Sequence, residues 1–227
     1  MNYLDGVCPV FDKLDNKIKG NAMKLYDSIG PNPHIVRMFM AEKGIKIPSQ
    51  TIDILAGENR KPPYNTSVSL AGQLPALEAD DGSIISEITV ICDYLEDIHP
   101  SPALIGSTPE QKAETRMWLR RLDLNICEPM ANGFRAAEGR RMFDSRIKLV
   151  SVAGAADLKA VAKDRLNWLS AMLEGRTFIC GERLSLADLL LFGFLKFGAE
   201  VGQDLTNETA WAKAWYDRIN ARPSASA

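Results

Sequence analysis

The chain is short of the residues from which metal and triad chemistry are built. Its histidines are His34 and His99, and Cys8, Cys92, Cys127 and Cys180 are scattered with no C-x-x-C pair. Zinc needs ligands at close spacing, so no metal site is expected. There is no G-x-S-x-G elbow to seat a nucleophilic serine, no G-x-x-x-x-G-K-[ST] phosphate loop and no G-x-G-x-x-G after a strand. An excess of charge is missing too: 27 Lys+Arg stand against 29 Asp+Glu, for a net charge of -2 and a pI near 5.8. So balanced a chain is not expected to bind nucleic acid or an anionic membrane surface. No apolar run approaches the roughly 20 residues of a membrane span. The opening MNYLDGVCPVFDKLDNKIKG carries acids and no continuous apolar core, so it does not read as a secretory signal, and a cytoplasmic location is expected. If the chain is an enzyme, a bound molecule supplies its reactive group.

What is present is a chain of 227 residues, 46% hydrophobic and 25% charged, long enough to bury a core without disulfides. Residues 1–22 show no sustained period and read as an extension. MKLYDS then reads as a strand. Asn32 can cap a helix with Pro33 in its first turn, Val36, Phe39 and Met40 fall at helical spacing, and Gly44 ends it. QTIDI is a second strand, GENRKPPYNTSV is irregular, and LPALEADDGSII reads as a hairpin around Asp81-Gly82. The helix SEITVICDYLEDI follows. The order β-α-β-α-β-β-α over 23–98 makes a small α+β domain, and the proline- and serine-punctuated 99–107 reads as a linker.

Residues 108–227 read as all-α. Thr108-Pro109-Glu110-Gln111 has the spacing of a capping box, and its helix runs to about Ile126, where Pro129 kinks or ends it. ADLKAVAKDRLNWLSAMLEG has a 3.6-residue period, Ser185 and Asp188 form a second box between Leu184 and Leu189, and AWAKAWYDRIN is the last helix.

YDSIGPNPHIVRMFMAEKGI, GQLPALEADDG, SEITVICDYL, FICGERLSLADLLLF and WYDRINARPS, in this order and spacing, resemble the cytosolic glutathione transferases. The resemblance implies a thioredoxin-like domain followed by an all-helical one, with glutathione as co-substrate. Leu74-Pro75 looks like the family's cis-proline step, whose preceding residue pairs with the cysteinyl backbone of glutathione as an added strand. Glu87 stands where the family holds the γ-glutamyl end: its carboxylate would accept from the ammonium, and the following helix N-terminus would hold the carboxylate. Ile88 replaces the usual Ser there, which Ser86 or Thr89 could offset. Arg60, Lys61 and Gln73 are candidates for the glycine carboxylate, and Ser69-Leu70 stands where Asn-Pro is usual.

The family lowers the thiol pKa of glutathione, because the thiolate is the nucleophile. A shift of about two units requires about 2.7 kcal/mol of preferential thiolate stabilisation. The usual Ser or Cys position falls on Gly30, so C-P-x-C becomes Gly30-Pro31-Asn32-Pro33, with Gly30 and Pro31 still expected to line the glutathione site. Without a protein thiol, mixed-disulfide exchange is excluded. Tyr26, Ser28 and Asn32 remain as thiolate donors, and an atypical branch of the family implies a water held by the helical half, here by Asn132 and Arg135. Ala131 departs from that branch's serine. A pocket lined by Trp118, Met130, Phe134 and Trp215 would suit a hydrophobic electrophile, and each of these residues taken alone reads better as core. The family pairs as a homodimer. The resemblance leaves three readings: general conjugation, specialised ether cleavage or dehalogenation, and a glutathione-binding scaffold without catalysis.

Overall fold

The computed structural model describes residues 22–227; the 1–22 extension and Cys8 lie outside the described residues, apart from Ala22 itself. Four short strands, β1 (Lys24–Asp27), β2 (Ser49–Thr51), β3 (Ala76–Glu78) and β4 (Ile84–Ser86), form one sheet in the order β2-β1-β3-β4. β2 runs parallel to β1, whereas β3 is antiparallel to both β1 and β4. Side chains alternate across a strand, so Leu25 and Leu77 join the main core, while Tyr26 and Ala76 face a smaller one with Ile52, Tyr64 and Leu74.

Helix α1 (Pro31–Lys43) starts on Pro31, whose missing N–H costs nothing at that position, and stops at Gly44, which takes φ 67. It buries Ile35, Val36, Met38 and Phe39. Between β2 and β3 no α-helix forms: a 3-10 turn (Glu58–Arg60) and a π turn (Tyr64–Val68) stand there instead. Pro62 and Pro63 lack the N–H groups a helix would need. Helix α2 (Ile88–Ile98) completes the expected thioredoxin-like order.

The remaining helices are α3 (Pro109–Leu122), α4 (Glu128–Ala136), α5 (Arg140–Phe143), α6 (Val152–Met172), α7 (Leu186–Glu200) and α8 (Ala210–Asn220). The kink expected at Pro129 is a π turn, Asp123–Cys127, that joins α3 to α4. Helix α6 begins earlier than its sequence period, because Ser151 caps Gly154. In the first box Thr108 caps Gln111, but Gln111 Oε1 reaches back to the Ser107 N–H. In the second, the fully buried Asp188 accepts from Ser185 N–H and Oγ and also from Ile179 N–H and Trp215 Nε1.

Two features fix the junction: a close contact of α7 with α1, and a buried pair that seats the linker on α1 and α2. Gly193 of α7 lets α1 approach so closely that a Cβ there would lie 2.5 Å from Ile35 Cγ1. The other is a buried ion pair: Lys43 Nζ lies 2.6 Å from Glu96 Oε2 and donates to Pro102 O, while Glu96 accepts from the amides of Leu104, Ile105 and Gly106. A buried charge pair holds only when its remaining groups are satisfied, and here the linker backbone satisfies them. Among the described residues no helix is long and apolar enough to cross a membrane.

Candidate active site

Sheet register places three backbone features at one end of the sheet. Tyr26 pairs with Ala76, so Ser28, Ile29 and Gly30 emerge beside Leu74 and Pro75. Ala76 pairs with Ser86, so Glu87 and the start of α2 emerge at the same end. The Leu74-Pro75 bond is cis, and neither the N–H nor the C=O of Leu74 has a partner among the described hydrogen bonds.

The segment before this step is held by side chains the sequence reading missed. Asn59 Nδ2 donates to Gly72 O at 2.6 Å, Tyr64 Oη donates to Gln73 O at 2.6 Å, and Ser69 Oγ accepts from the Gln73 N–H. Ser69, read as a departure, thus ties the turn it interrupts. Desolvation pushes the Tyr64 hydroxyl far above its ordinary pKa, so it stays a donor. Arg60 and Lys61 are exposed and fold back onto Ala71 O and Ala56 O, and the Gln73 side chain is exposed.

Glu87 is the only non-glycine residue with a positive φ, 74°, among the described residues. Such a conformation costs a residue with a Cβ about 1–3 kcal/mol and persists only where something over-determines it. Glu87 caps α2 without a side-chain bond, and Ile91 N–H is the first amide to find a partner, Glu87 O. The amides of Ile88, Thr89 and Val90 therefore face outward at a helix N-terminus, which attracts anions. From the helical half, Asp123 stands close enough for the charges of Glu128 and Glu87 to add to burial in raising its pKa. One end of α2 thus offers amide donors and two neighbouring carboxylates, a pattern that suits a zwitterionic α-amino acid.

At the other end of the site, Gly30 has φ 107 and caps α1 with no side-chain bond. Asn32 is the second helical residue and does not cap, contrary to the sequence expectation, because the helix begins two residues earlier, on Pro31. Pro31 and Pro33 have no N–H, and His34 N–H is taken by Gly30 O at 3.3 Å. Of the donors usually free in a first helical turn, only the Asn32 N–H remains, with the half-buried Asn32 carboxamide beside it.

The other proposed thiolate donors are engaged elsewhere. Tyr26 points away along β1: its hydroxyl donates to Glu78 Oε2 at 2.8 Å, and desolvation first, then Glu78, raise its pKa. Ser28 Oγ donates to Ile52 O at 2.7 Å. Asn132 donates to Glu128 and accepts from Arg135, so its carboxamide is occupied at both ends. Cys127, the last residue of the π turn, is buried, and desolvation pushes its thiol up.

The expected pocket lining is mostly core. Trp118 and Met130 are buried, and Trp215 is fully buried with its Nε1–H on Asp188. Their helical spacing cannot distinguish a face turned inward from one turned to a cleft. Phe134 is half-buried and packs edge-on against Phe197 of α7, ring centroids 4.9 Å apart. Phe197 borders a cleft of ≈ 260 Å³ between the Gly30 end of α1 and α7. Arg37 and Lys196 also line it, with Arg37 Nη1 2.6 Å from Asp27 Oδ1 and Lys196 Nζ donating to Ala225 O at 2.7 Å. His34 Nε2 lies 3.2 Å from the same carbonyl. Burial, then the charges of Lys196 and Arg37, hold His34 below its ordinary pKa.

Residues 29–98 match the family model described as glutathione S-transferase, N-terminal domain, and residues 155–223 match the glutathione S-transferase C-terminal domain. Glutathione S-transferase 2 of Saccharomyces cerevisiae is 30% identical over 205 residues, covering 89% of this chain and 87% of the relative. The crystal structure of Gtt2 from the same yeast superposes with a TM-score of 0.82 at 28% identity, covering 89% of this chain and 98% of that one. A glutathione transferase homologue from Sulfitobacter, solved with bound glutathione, has the same fold, with a TM-score of 0.71 at 22% identity over 90% of this chain and 95% of that one.

Proposed function

The chain belongs to the glutathione S-transferase family, and from that membership we propose that it binds glutathione across the end of the sheet and delivers its thiolate to an electrophile in the α1–α7 cleft. One observation carries the reading: the unpaired backbone of Leu74, the open N-terminus of α2 with its strained Glu87, and the Gly30 end of α1 converge at one edge. Leu74 pairs with the cysteinyl backbone, the α2 amides take the γ-glutamyl carboxylate, and Glu87 with Asp123 takes its ammonium. Arg60, Lys61 and Gln73 belong to the segment nearest the glycine end.

With glycine at position 30, thiolate stabilisation falls to Asn32. A hydrogen bond to a charged acceptor contributes about 1.5–3 kcal/mol, and a helix N-terminus about 0.3–1 kcal/mol, rising to about 2 when partly buried. Together these reach the roughly 2.7 kcal/mol of a two-unit shift without a protein hydroxyl. The sulfur's electron pair forms the new bond to carbon. A leaving group departs with its own bonding pair, or an activated double bond shifts its pair onto the adjacent carbon, which takes a proton.

A cleft of ≈ 260 Å³ is small against the roughly 300–1,000 Å³ of drug-sized sites and suits a single ring against Phe197 and Ile29. A homodimer is supported by Val90 on α2 and Met117 and Leu124 beside the α2–α3 seam, which are 50%, 42% and 50% exposed. Calorimetric titration with glutathione tests the reading: binding that weakens at least about tenfold when the γ-glutamyl ammonium is removed from the ligand supports it. Absence of binding, or indifference to the ammonium, refutes it.

A further inference from the structure

We infer that the electrophile carries an anionic group, seated against Lys196 and Arg37 while its ring lies toward Phe197. The inference rests on the proposed reaction and adds the chemical class of its second substrate. Helix α7 is apolar or glycine at every position from Leu189 to Phe197 except Lys196, and that side chain lines the cleft. An ammonium in so apolar a helix needs a partner, and Ala225 O takes only one of its three protons. On the facing helix, Arg37 spends Nη1 on Asp27 and Ser28 O, leaving the rest of its guanidinium fork without a carboxylate. Glu200 is the only acidic side chain lining the cleft, and it is exposed at the rim.

His34, between the two cations, reports the sign of the local field: both charges act to keep it neutral. An apolar electrophile would desolvate Lys196 with no carboxylate partner, and Arg37 with Asp27 on one side only, which is costly. A carboxylate or sulfonate on the same ring pairs with them.

The test uses the whole chain and two matched single-ring electrophiles, 4-chloro-3-nitrobenzoate and 4-chloro-3-nitrobenzamide. In each the thiolate carbon–sulfur bond forms and chloride leaves with the bonding pair. Relative to wild type, Lys196→Met is expected to lower kcat/KM for the benzoate at least about tenfold, mostly through KM, and for the benzamide less than about twofold. Lys196→Arg restores the benzoate rate, and glutathione affinity stays unchanged in both variants. Equal effects on the two substrates, or none on either, overturn the inference.

A second readout needs no variant and no turnover. Unreactive 3-nitrobenzoate added to the wild-type protein is expected to raise the His34 pKa seen by NMR, and 3-nitrobenzamide is not. Identical responses to the two overturn the inference even if the variant fails to fold. Should neither electrophile be conjugated while 3-nitrobenzoate still shifts His34, the proposed reaction fails and the anion site stands.

Discussion

Replacing Glu87 by glycine should stabilise the fold and damage the site at the same time. At φ 74 and ψ 130 Glu87 occupies backbone space that disfavours a Cβ, at a cost of about 1–3 kcal/mol. Glycine removes that cost and gives back roughly 0.5–1 kcal/mol in unfolded-chain entropy, leaving a net gain of about 1 kcal/mol. In a chain of this size, that corresponds to a rise in Tm of about 2–4 °C. The Glu87–Asp123 repulsion, which helps raise the Asp123 pKa, is relieved as well. Glu87→Ala keeps the Cβ and should show no comparable gain. Both variants lose the carboxylate, so both should bind glutathione at least about tenfold more weakly, a loss of about 1.4 kcal/mol. Differential scanning calorimetry and isothermal titration on the same preparations give the two numbers. A Glu87→Gly protein less stable than wild type refutes the strain reasoning. Undiminished glutathione affinity refutes the assignment of the γ-glutamyl subsite.

Four further outcomes follow from the same geometry. Gly30 has φ 107 and open space where a Cβ would go, so Gly30→Ala and Gly30→Ser should each lose about 1–3 kcal/mol by denaturant unfolding, and a serine that stabilises the protein would contradict this. Lys43→Met strands the Glu96 carboxylate in the linker seat, with a cost of about 3–5 kcal/mol; a loss below about 1 kcal/mol would mean the pair is not what holds the linker. Burial pushes Glu42 up, but the Arg222 fork at 2.7 Å and the Ser224 hydroxyl hold its pKa below the ordinary glutamate value. Its contribution is therefore complete above that value and lost as pH falls through the lower folded one, and the protection of the Ala225 amide, corrected for intrinsic exchange, should fall in acid for wild type but not show this acid dependence in Glu42→Gln. The proposed homodimer should fall to monomer in Leu124→Arg by sedimentation, and a monomeric wild type or an unaltered mass in the variant would contradict the proposed interface.

The sequence carried the elements whose causes are local. Gly44 at a helix end, the Ser185–Asp188 box and the interruption ahead of Pro129 each depend on neighbours within a few positions and stand where the chain indicated, whereas α1 begins on Pro31 and not after an Asn32 cap. The cis Leu74-Pro75 step and Glu87 at the head of α2 stand where the family resemblance, and no local pattern, put them. The side-chain part of the site was not legible. Lys43 and Glu96 are 53 positions apart, and Arg222 and Glu42 are 180 apart, so no spacing rule connects them. Tyr26 looked available because its position fits, but which end of a strand its hydroxyl reaches depends on Glu78 across the sheet. Trp118, Met130 and Trp215 lie at helical spacing, which fixes a shared face without fixing what that face meets. The cleft's charge comes from Lys196 and Arg37, 159 positions apart, which only the packing of α7 on α1 brings together.

The central claim is that Asn32 and the N-terminus of α1 activate a thiol without a protein hydroxyl. Ultraviolet difference titration of bound glutathione, following thiolate absorbance against pH in wild type and Asn32→Ala, tests it most directly. The expected result is a bound thiol about two units below the roughly 8.5 of a free thiol, returning upward by about one unit or more in Asn32→Ala, equivalent to about 1.4 kcal/mol. A wild-type value equal to that of free glutathione, or a depressed value that Asn32→Ala leaves unmoved, contradicts it.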